Sequence, residues 1–339
     1  MLLKKHLKSS NNTPLKYKKR SRKTSFLLLL PFSIRGLFQC PPNLEEGFFY
    51  TLKFSFFRKL VILPLVLNMP YFSNHKLKLH YYQYGTGPEV MLAFHGFGMK
   101  GTQFSVLEPA FTQKYTIYSF DLFFHGQTVL HDSSLSVVRK GLSSEEFSSY
   151  ILEFITQMKL KKISLLSYSI GSLLAFSLIK NIPEYINKAF FIAPDGIKPN
   201  KLLQFGSRNK LVNRVFHKLV YRPKTVQFIL DKLLRYKYID QSIHEILLGE
   251  FISEQTRLTC YNAITFYAKL NFKQDQLAEI LNRHEIESFF YFGTGDKLFP
   301  PSIGHHFAKK LKKSSLQVLD ADHNLVTPKL TPIIAQQLN

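Results

Sequence analysis

The chain contains no tryptophan and only two cysteines, Cys40 and Cys260, among its 339 residues. Two distant thiols cannot build the disulfide framework of a small secreted domain, and neither has metal-ligand spacing. Cys260 reads as a small apolar filler on a helix, and a reducing compartment fits. Acidic residues are scarce: 23 Asp and Glu face 45 Lys and Arg, for a formal charge of +22. Such a balance normally points to nucleic acid or a membrane surface. Half of it lies in residues 1–68, where 13 Lys/Arg meet only Glu45 and Glu46. The rest has no basic run interleaved with stacking aromatics, so no nucleic-acid partner is expected. Long apolar runs are also absent. "SFLLLLPFSI" is about half the roughly 20 residues needed to span a bilayer, and "LVILPLVL" (60–67) is short and holds a proline. No Walker-type phosphate loop, dinucleotide fingerprint or metal-ligand cluster occurs, so neither a cofactor nor a metal is expected.

At 45% hydrophobic and 14% aromatic, the chain can bury a substantial core. Its length suits one large α/β domain or two ordinary ones. Residues 1–68 have the order of a targeting segment, a basic stretch followed by a short apolar run. No small-x-small cleavage site follows, and in "LFQC" Gln39 stands where a lipoprotein box needs a small residue. Met69 then opens "MPYFSNHKLKLHYYQYGTGPEVMLAFHG", which reads as the start of a compact enzyme. Residues 1–68 are therefore expected to be a targeting extension or the product of an upstream start codon, the latter slightly favoured. The expected location is cytoplasmic, or membrane-associated or exported if that extension is a genuine signal.

From residue 75 onward, short apolar runs alternate with helical ones, the mark of βαβ units and a mostly parallel sheet. "EVMLAFHG" (89–96), "YTIYSFD" (115–121), "KISLLSYS" (162–169), "KAFFIAP" (188–194), "SFFYFGTGD" (288–296) and "LQVLDADH" (316–323) read as core strands. "KLKLHYYQYG" alternates like one or two partly exposed strands. "SSEEFSSYILEFITQMKL" carries a serine cap region, early glutamates and apolar Phe147, Ile151, Phe154, Ile155 and Met158 at helical spacing. Residues 197–281 interrupt the rhythm with helices lacking strands. One stripe includes Leu202, Leu203, Phe205, Leu211, Val215 and Leu219; another begins with Ile229, Leu233 and Leu234. Helices inserted between two core strands predict a cap. Its 14 Lys/Arg against seven acids are mostly solvated faces, with membrane-surface or anionic-substrate contact as the functional alternative.

"LLSYSIGSLLAF" (165–176) places three serines between two apolar runs. Nucleophilic acyl transfer needs a hydroxyl on a sharp turn, a histidine base, a carboxylate to orient it, and backbone N–H donors for the oxyanion. Ser169 ends a strand, is followed by Gly171 and then by a helical run. Ser167 lies within the strand, and Ser172 enters the helix, where a hydroxyl usually bonds back to the backbone. Only Ser169 has a small residue on both sides at distance two. Alone, this pentapeptide reads as a structural turn. "FHGFG" (94–98) adds a His-Gly turn after an earlier strand, "GTGDKLFPP" puts Asp296 after another, and "DADHNL" puts His323 after the last.

The order Ser, Asp, His, with Ser167-Tyr168-Ser169-Ile170-Gly171 standing where Gly-x-Ser-x-Gly is usual, resembles the α/β-hydrolase superfamily in its serine esterase and lipase branch. The resemblance runs from about residue 75 to the C-terminus. It implies an α/β-hydrolase fold with core 69–196 and 282–339 and a helical cap or lid at 197–281. It further implies Ser169 as nucleophile, His323 as general base and Asp296 as orienting acid. The backbone N–H groups of Phe97 and Ile170 would form the oxyanion hole. "DLFFHGQT" (121–128) matches the family's Asp-x-x-Gly-His-Gly-x-Ser segment, with Phe124 for glycine and Thr128 for serine. Asp121, His125 and Gly126 then shape the loop beneath the site.

Rivals remain for each role. Asp195, after another core strand, is the alternative acid. His95 and His125 read as structural, His305 and His306 as exposed on a crossover helix, and Asp322 as turned away. The expected activity is hydrolysis of an ester, or a related acyl bond, in a hydrophobic small molecule. Alternatives are an acyltransferase or lyase on the same fold, or an inactive binding module, a possibility fed by Ser167 in the glycine position. Substrate identity and oligomeric state stay open.

Overall fold

The computed structural model describes residues 70–198, 209–239 and 241–338. The extension expected over 1–68, with Cys40, lies outside them, as do Leu202, Leu203 and Phe205 of the first predicted cap stripe. Nine strands make one sheet: β1 (Tyr71–Ser73), β2 (Leu77–Tyr84), β3 (Glu89–Phe94), β4 (Tyr115–Phe120), β5 (Val129–Leu130), β6 (Ile163–Tyr168), β7 (Ile186–Ile192), β8 (Glu287–Gly293) and β9 (Ser314–Leu319). The order is β1-β2-β4-β3-β6-β7-β8-β9, with β5 beside β2. The pairs β4–β3, β3–β6, β6–β7, β7–β8 and β8–β9 are parallel, as the sequence rhythm predicts. At the other edge β2 runs antiparallel to β1, β4 and β5. From β3 the chain moves one way to β4, then returns past β3 to β6. The crevice of an open α/β sheet lies at such a reversal, at the carboxyl ends of the strands.

The described helices are α1 (Glu108–Phe111), α2 (Leu135–Lys140), α3 (Ser144–Gln157), α4 (Gly171–Asn181), α5 (Lys210–Leu219), α6 (Pro223–Arg235), α7 (Gln241–Glu250), α8 (Glu254–Tyr267), α9 (Gln274–Arg283), α10 (Pro301–Ala308) and α11 (Thr331–Leu338). The predicted start of α3 has its physical cause in view. Ser143 Oγ accepts the Glu146 N–H at 3.0 Å, and Glu145 and Glu146 place negative charge in the first turn.

Alternation along the central strands splits the core between the two faces of the sheet. On one face Leu165, Phe191 and Phe290 join residues of α3, α4 and α9. On the other, Leu166, Phe190 and Phe289 join Phe104, Phe111, Leu330 and Ile334. Phe190 and Phe289 are paired across β7 and β8 with ring centroids 4.6 Å apart, and Phe191 and Phe290 stack at 5.1 Å on the opposite face. Two aromatic pairs thus clamp the middle of the sheet from both sides. Between β7 and β8, α5 to α7 have a small cluster of their own, Val226, Leu230, Ile239 and Ile243. Helix α9 instead buries Leu277, Ala278 and Leu281 in the main core. The sequence-based division at residue 281 therefore falls inside a helix.

Phe191→Ala removes one ring from a fully buried stack against Phe176 and Phe290. It is expected to cost about 3–5 kcal/mol of stability, read as a lower urea midpoint with an unchanged slope.

Candidate active site

Ser169 sits between the end of β6 and the start of α4 with φ at +51°. A left-handed conformation costs a residue bearing a Cβ about 1–2 kcal/mol. The surroundings hold it there. Its N–H donates to the Ile192 carbonyl at 3.0 Å, and its own carbonyl accepts from Ser172 and Asp195 N–H at 3.0 and 3.1 Å. A Cβ on Gly171 would overlap the carbonyl oxygens of Phe94 and His95, so only glycine lets α4 cross the end of β3 this closely.

Ser167, fully buried on β6, faces no such overlap. Its Oγ shares a 3.0 Å hydrogen bond with Ser172 Oγ. The Ser172 hydroxyl is thus taken up by the strand instead of returning to its own helix. The departure from glycine at 167 is absorbed by a polar staple between strand and helix.

His323 lies in the loop after β9. Its Nε2 is 3.0 Å from Ser169 Oγ and its Nδ1 is 2.7 Å from Asp296 Oδ2, with all three residues buried. Asp296 Oδ1 accepts the N–H groups of Leu298 and Phe299, each at 2.9 Å. The acceptor on the Nδ1 side assigns the imidazole proton to Nδ1 and leaves Nε2 to accept from the serine hydroxyl. Tyr168, which no sequence pattern singled out, stacks on the His323 ring at 5.3 Å, and its hydroxyl donates to the His323 carbonyl at 2.9 Å. Phe299 lies against the same ring at 5.5 Å. A Cβ on Gly293, the last residue of β8, would strike the Ala321 and Asp322 carbonyls, so glycine there admits the loop carrying His323.

Asp195, the alternative acid, is half-buried beside Ser169 and makes no hydrogen bond to His323. Burial pushes its carboxyl up to about 6, against the lowering effect of the Gly196 N–H and of nearby His323. Asp322 turns away and accepts the Asn324 N–H, and His305 and His306 are exposed on α10. Among the described residues no group of His, Cys, Asp and Glu is arranged to hold a metal ion.

The His95-Gly96-Phe97 turn approaches Ser169 from β3. His95 Nδ1 lies 2.6 Å from the Gly96 carbonyl, and its Nε2 accepts the Leu122 N–H at 2.9 Å. His125 repeats the pattern, with Nδ1 2.9 Å from the Phe123 carbonyl and Nε2 accepting Gly98 N–H at 3.1 Å. Each ring must stay neutral for Nε2 to accept. Burial, followed by the neighbouring His125, holds His95 well below the ordinary histidine value, and burial lowers His125 as well. Among the described residues, the N–H groups of Phe97 and Ile170 have no protein acceptor.

Beneath this turn, Asp121 accepts the N–H groups of Gly101 and Gln127 at 2.8 Å each, while His80 Nδ1 lies 2.9 Å from its Oδ2. Thr128 Oγ1 donates to the Asp121 carbonyl at 2.6 Å, so threonine can fill a serine position here. Phe124, at the position where glycine was expected, has the left-handed φ of +65° and packs its ring on Phe266 of α8 at 5.3 Å.

A family model for the alpha/beta hydrolase fold matches residues 89–235. The uncharacterized hydrolase YugF of Bacillus subtilis is 20% identical over 270 residues, covering 79% of this chain and 95% of its own. A thermophilic esterase from Thermogutta terrifontis superposes with a TM-score of 0.59 at 17% identity, over 80% of this chain and 95% of that one. A hydrolase from Oleispira antarctica gives 0.55 at 20% identity, over 76% and 93%.

Ser167→Ala is expected to cost about 1–3 kcal/mol, because it leaves the Ser172 hydroxyl buried without a partner. The double variant Ser167→Ala/Ser172→Ala should then lose less than the two singles summed, in a denaturation cycle. Strict additivity would refute the staple. A second expectation concerns pH. Because folding lowers the pKa of His95 and His125, their stabilisation is complete above the unfolded value of about 6.5 and lost as pH falls below it. Urea midpoints should drop from pH 6.5 towards 5, and His125→Gln should flatten that slope.

Proposed function

We propose that this chain, which has the α/β-hydrolase fold, is a serine hydrolase that cleaves an ester bond in a hydrophobic small molecule. The observation that carries the reading is the unbroken relay from Asp296 Oδ2 through His323 to Ser169 Oγ, at 2.7 and 3.0 Å. Beside it lie two N–H groups, those of Phe97 and Ile170, that meet no acceptor among the described residues. The esterase among the structural neighbours adds support for the substrate class.

In this reading His323 Nε2 takes the Ser169 proton as Oγ attacks the ester carbonyl. Negative charge gathers on the carbonyl oxygen and is met by the N–H groups of Phe97 and Ile170. The first of these sits in the turn gripped by the two neutral histidines. Collapse of the tetrahedral intermediate expels the alcohol, which receives the proton from His323, and leaves the acyl group on Oγ. Water, deprotonated by the same nitrogen, attacks the acyl-enzyme; the acid departs and Ser169 regains its proton. Asp296 Oδ2 accepts the Nδ1–H and so orients and holds the imidazolium.

Of the segment between β7 and β8, helices α5 to α7, which have an apolar cluster of their own, act as the cap, while α9 belongs to the core. The cap's inner contacts reach the site directly. Leu298 packs with Val226, Leu230, Ile239 and Ile243, and its N–H is one of the two donors to Asp296. The apolar composition of this cap supports a hydrophobic acyl or alkyl group in the substrate.

A fluorophosphonate probe should label the folded wild type, and Ser169→Ala should abolish that labelling. The same variant should lower kcat on p-nitrophenyl esters by about 10³-fold or more. Asp296→Asn should cost far more activity than Asp195→Asn; the reverse would move the acid to β7. Absence of labelling in folded wild type would leave an inactive binding module. Labelling without ester hydrolysis would point to a transferase or lyase.

A further inference from the structure

Helices α5 and α6 expose an unusual share of large apolar side chains. Leu211 is 69% exposed, Val215 58%, Phe228 61% and Tyr238 71%, and Tyr221 and Tyr236 are more than half exposed. On α6, Lys224, Phe228, Lys232 and Tyr236 recur every four residues and so share one side of the helix. The opposite side, Val226 and Leu230, is buried against Ile239, Ile243 and Leu298. Helix α5 turns polar Asn213 inward, where it bonds Arg139, Tyr261 and Thr265, and leaves Leu211, Val212 and Val215 outside. Phe216 and Leu219 of the same helix pack inward, so it is the Leu211, Val212 and Val215 part of its apolar surface that faces outward.

Charge follows the same surface. Residues 209–239 contain eight Lys/Arg and a single acid, Asp231, which pairs with His244. Lys232 Nζ lies over the rings of Phe228 and Tyr236, at 5.5 and 5.9 Å, so cation and aromatic act from the same place. Among the described residues, no helix is long and apolar enough to cross a membrane.

We propose that the outer side of α5 and α6 is a peripheral docking surface for an anionic phospholipid membrane. Three features select this occupant. The net charge of +7 opposes an anionic surface and disfavours a second copy of this chain, which would bring the same charge to the contact. The apolar groups protrude from helix shoulders, a shape that enters a lipid interface. Tyrosine, phenylalanine and lysine side by side suit the boundary between headgroups and acyl chains, with lysine stems extending towards phosphate. The inference concerns binding alone and holds whether or not Ser169 is a nucleophile.

Because the chain lacks tryptophan, Phe228→Trp in the full-length protein creates a single fluorescent reporter on the surface. Vesicles of phosphatidylcholine with about one third phosphatidylserine should shift its emission to the blue, and pure phosphatidylcholine should not. Lys224→Glu/Lys232→Glu/Arg235→Glu, with an unchanged circular dichroism spectrum, should weaken partitioning by more than about tenfold. High salt should weaken the wild type in the same direction. Any of the following results would overturn the proposal: no partitioning to the anionic vesicles, partitioning that the triple variant leaves intact, partitioning without a shift at position 228, or a concentration-dependent shift without lipid. The third would assign membrane binding to another part of the chain, and the fourth would indicate self-association. A shift with soluble polyglutamate but none with vesicles would likewise replace the lipid by an acidic protein.

Discussion

The close approach of helix α4 to the end of β3 sets the geometry on which the site depends. Gly171 lies so near the carbonyls of Phe94 and His95 that no side chain fits between them. With the helix that close, the chain leaving β6 must turn within one residue, and Ser169 takes the left-handed conformation. The turn lifts Oγ out of the strand, while the N–H of Ile170, at the start of α4, meets no acceptor among the described residues. The proposed nucleophile and one proposed oxyanion donor thus follow from a single steric fact. Distance from Ser169 to His323 is then a matter of where β9 ends, and Gly293 allows the returning loop to come in.

A second constraint is neutrality. Two histidines hold the turn after β3 by accepting backbone N–H groups, which they can do only without a second proton. Burial keeps His95 and His125 in that state. The third histidine, His323, has a different environment: a carboxylate at Nδ1, a hydroxyl at Nε2 and aromatic rings of Tyr168 and Phe299 against it. Ring type is the same in all three. Structural and proposed catalytic roles are separated by whether the second nitrogen meets an N–H, which needs a neutral ring, or an O–H, which can pass a proton to it.

Much of this was legible in the sequence, because the central strands are largely apolar runs, the part-exposed edge strand β9 less so, and each proposed chemical group stands just past a strand. Ser169, Asp296 and His323 are read by position relative to strands, and strands buried on both faces announce themselves. What escaped was everything set by contacts between distant segments. The short antiparallel β1 and β5 are too brief for any periodicity. Tyr168 looks like the variable residue of a five-residue motif until its ring meets His323, 155 residues away. The boundary at 281 cuts α9 because amphipathic helices facing the sheet and facing one another have the same 3.6-residue pattern. Ser167 could be judged for size in the sequence, whereas its partner Ser172 emerges only when strand and helix are brought together.

Ser167 and Phe124, two residues that depart from the pattern the sequence resembles, lie near or at positive φ, and each is accommodated differently. Serine at 167 is matched by a hydroxyl on α4. Phenylalanine at 124 carries the strain of a left-handed backbone, about 1–2 kcal/mol, and offsets it with ring contact on Phe266 that glycine could never make. That contact ties the loop under the His95-Gly96-Phe97 turn to α8. Replacing glycine by a large aromatic therefore exchanges a relaxed loop for a mechanical link between the sheet and the helices above it. The loop's own polar scaffold, Asp121 with Gly101, Gln127 and Thr128, is what allows such a residue to be held without displacing His125.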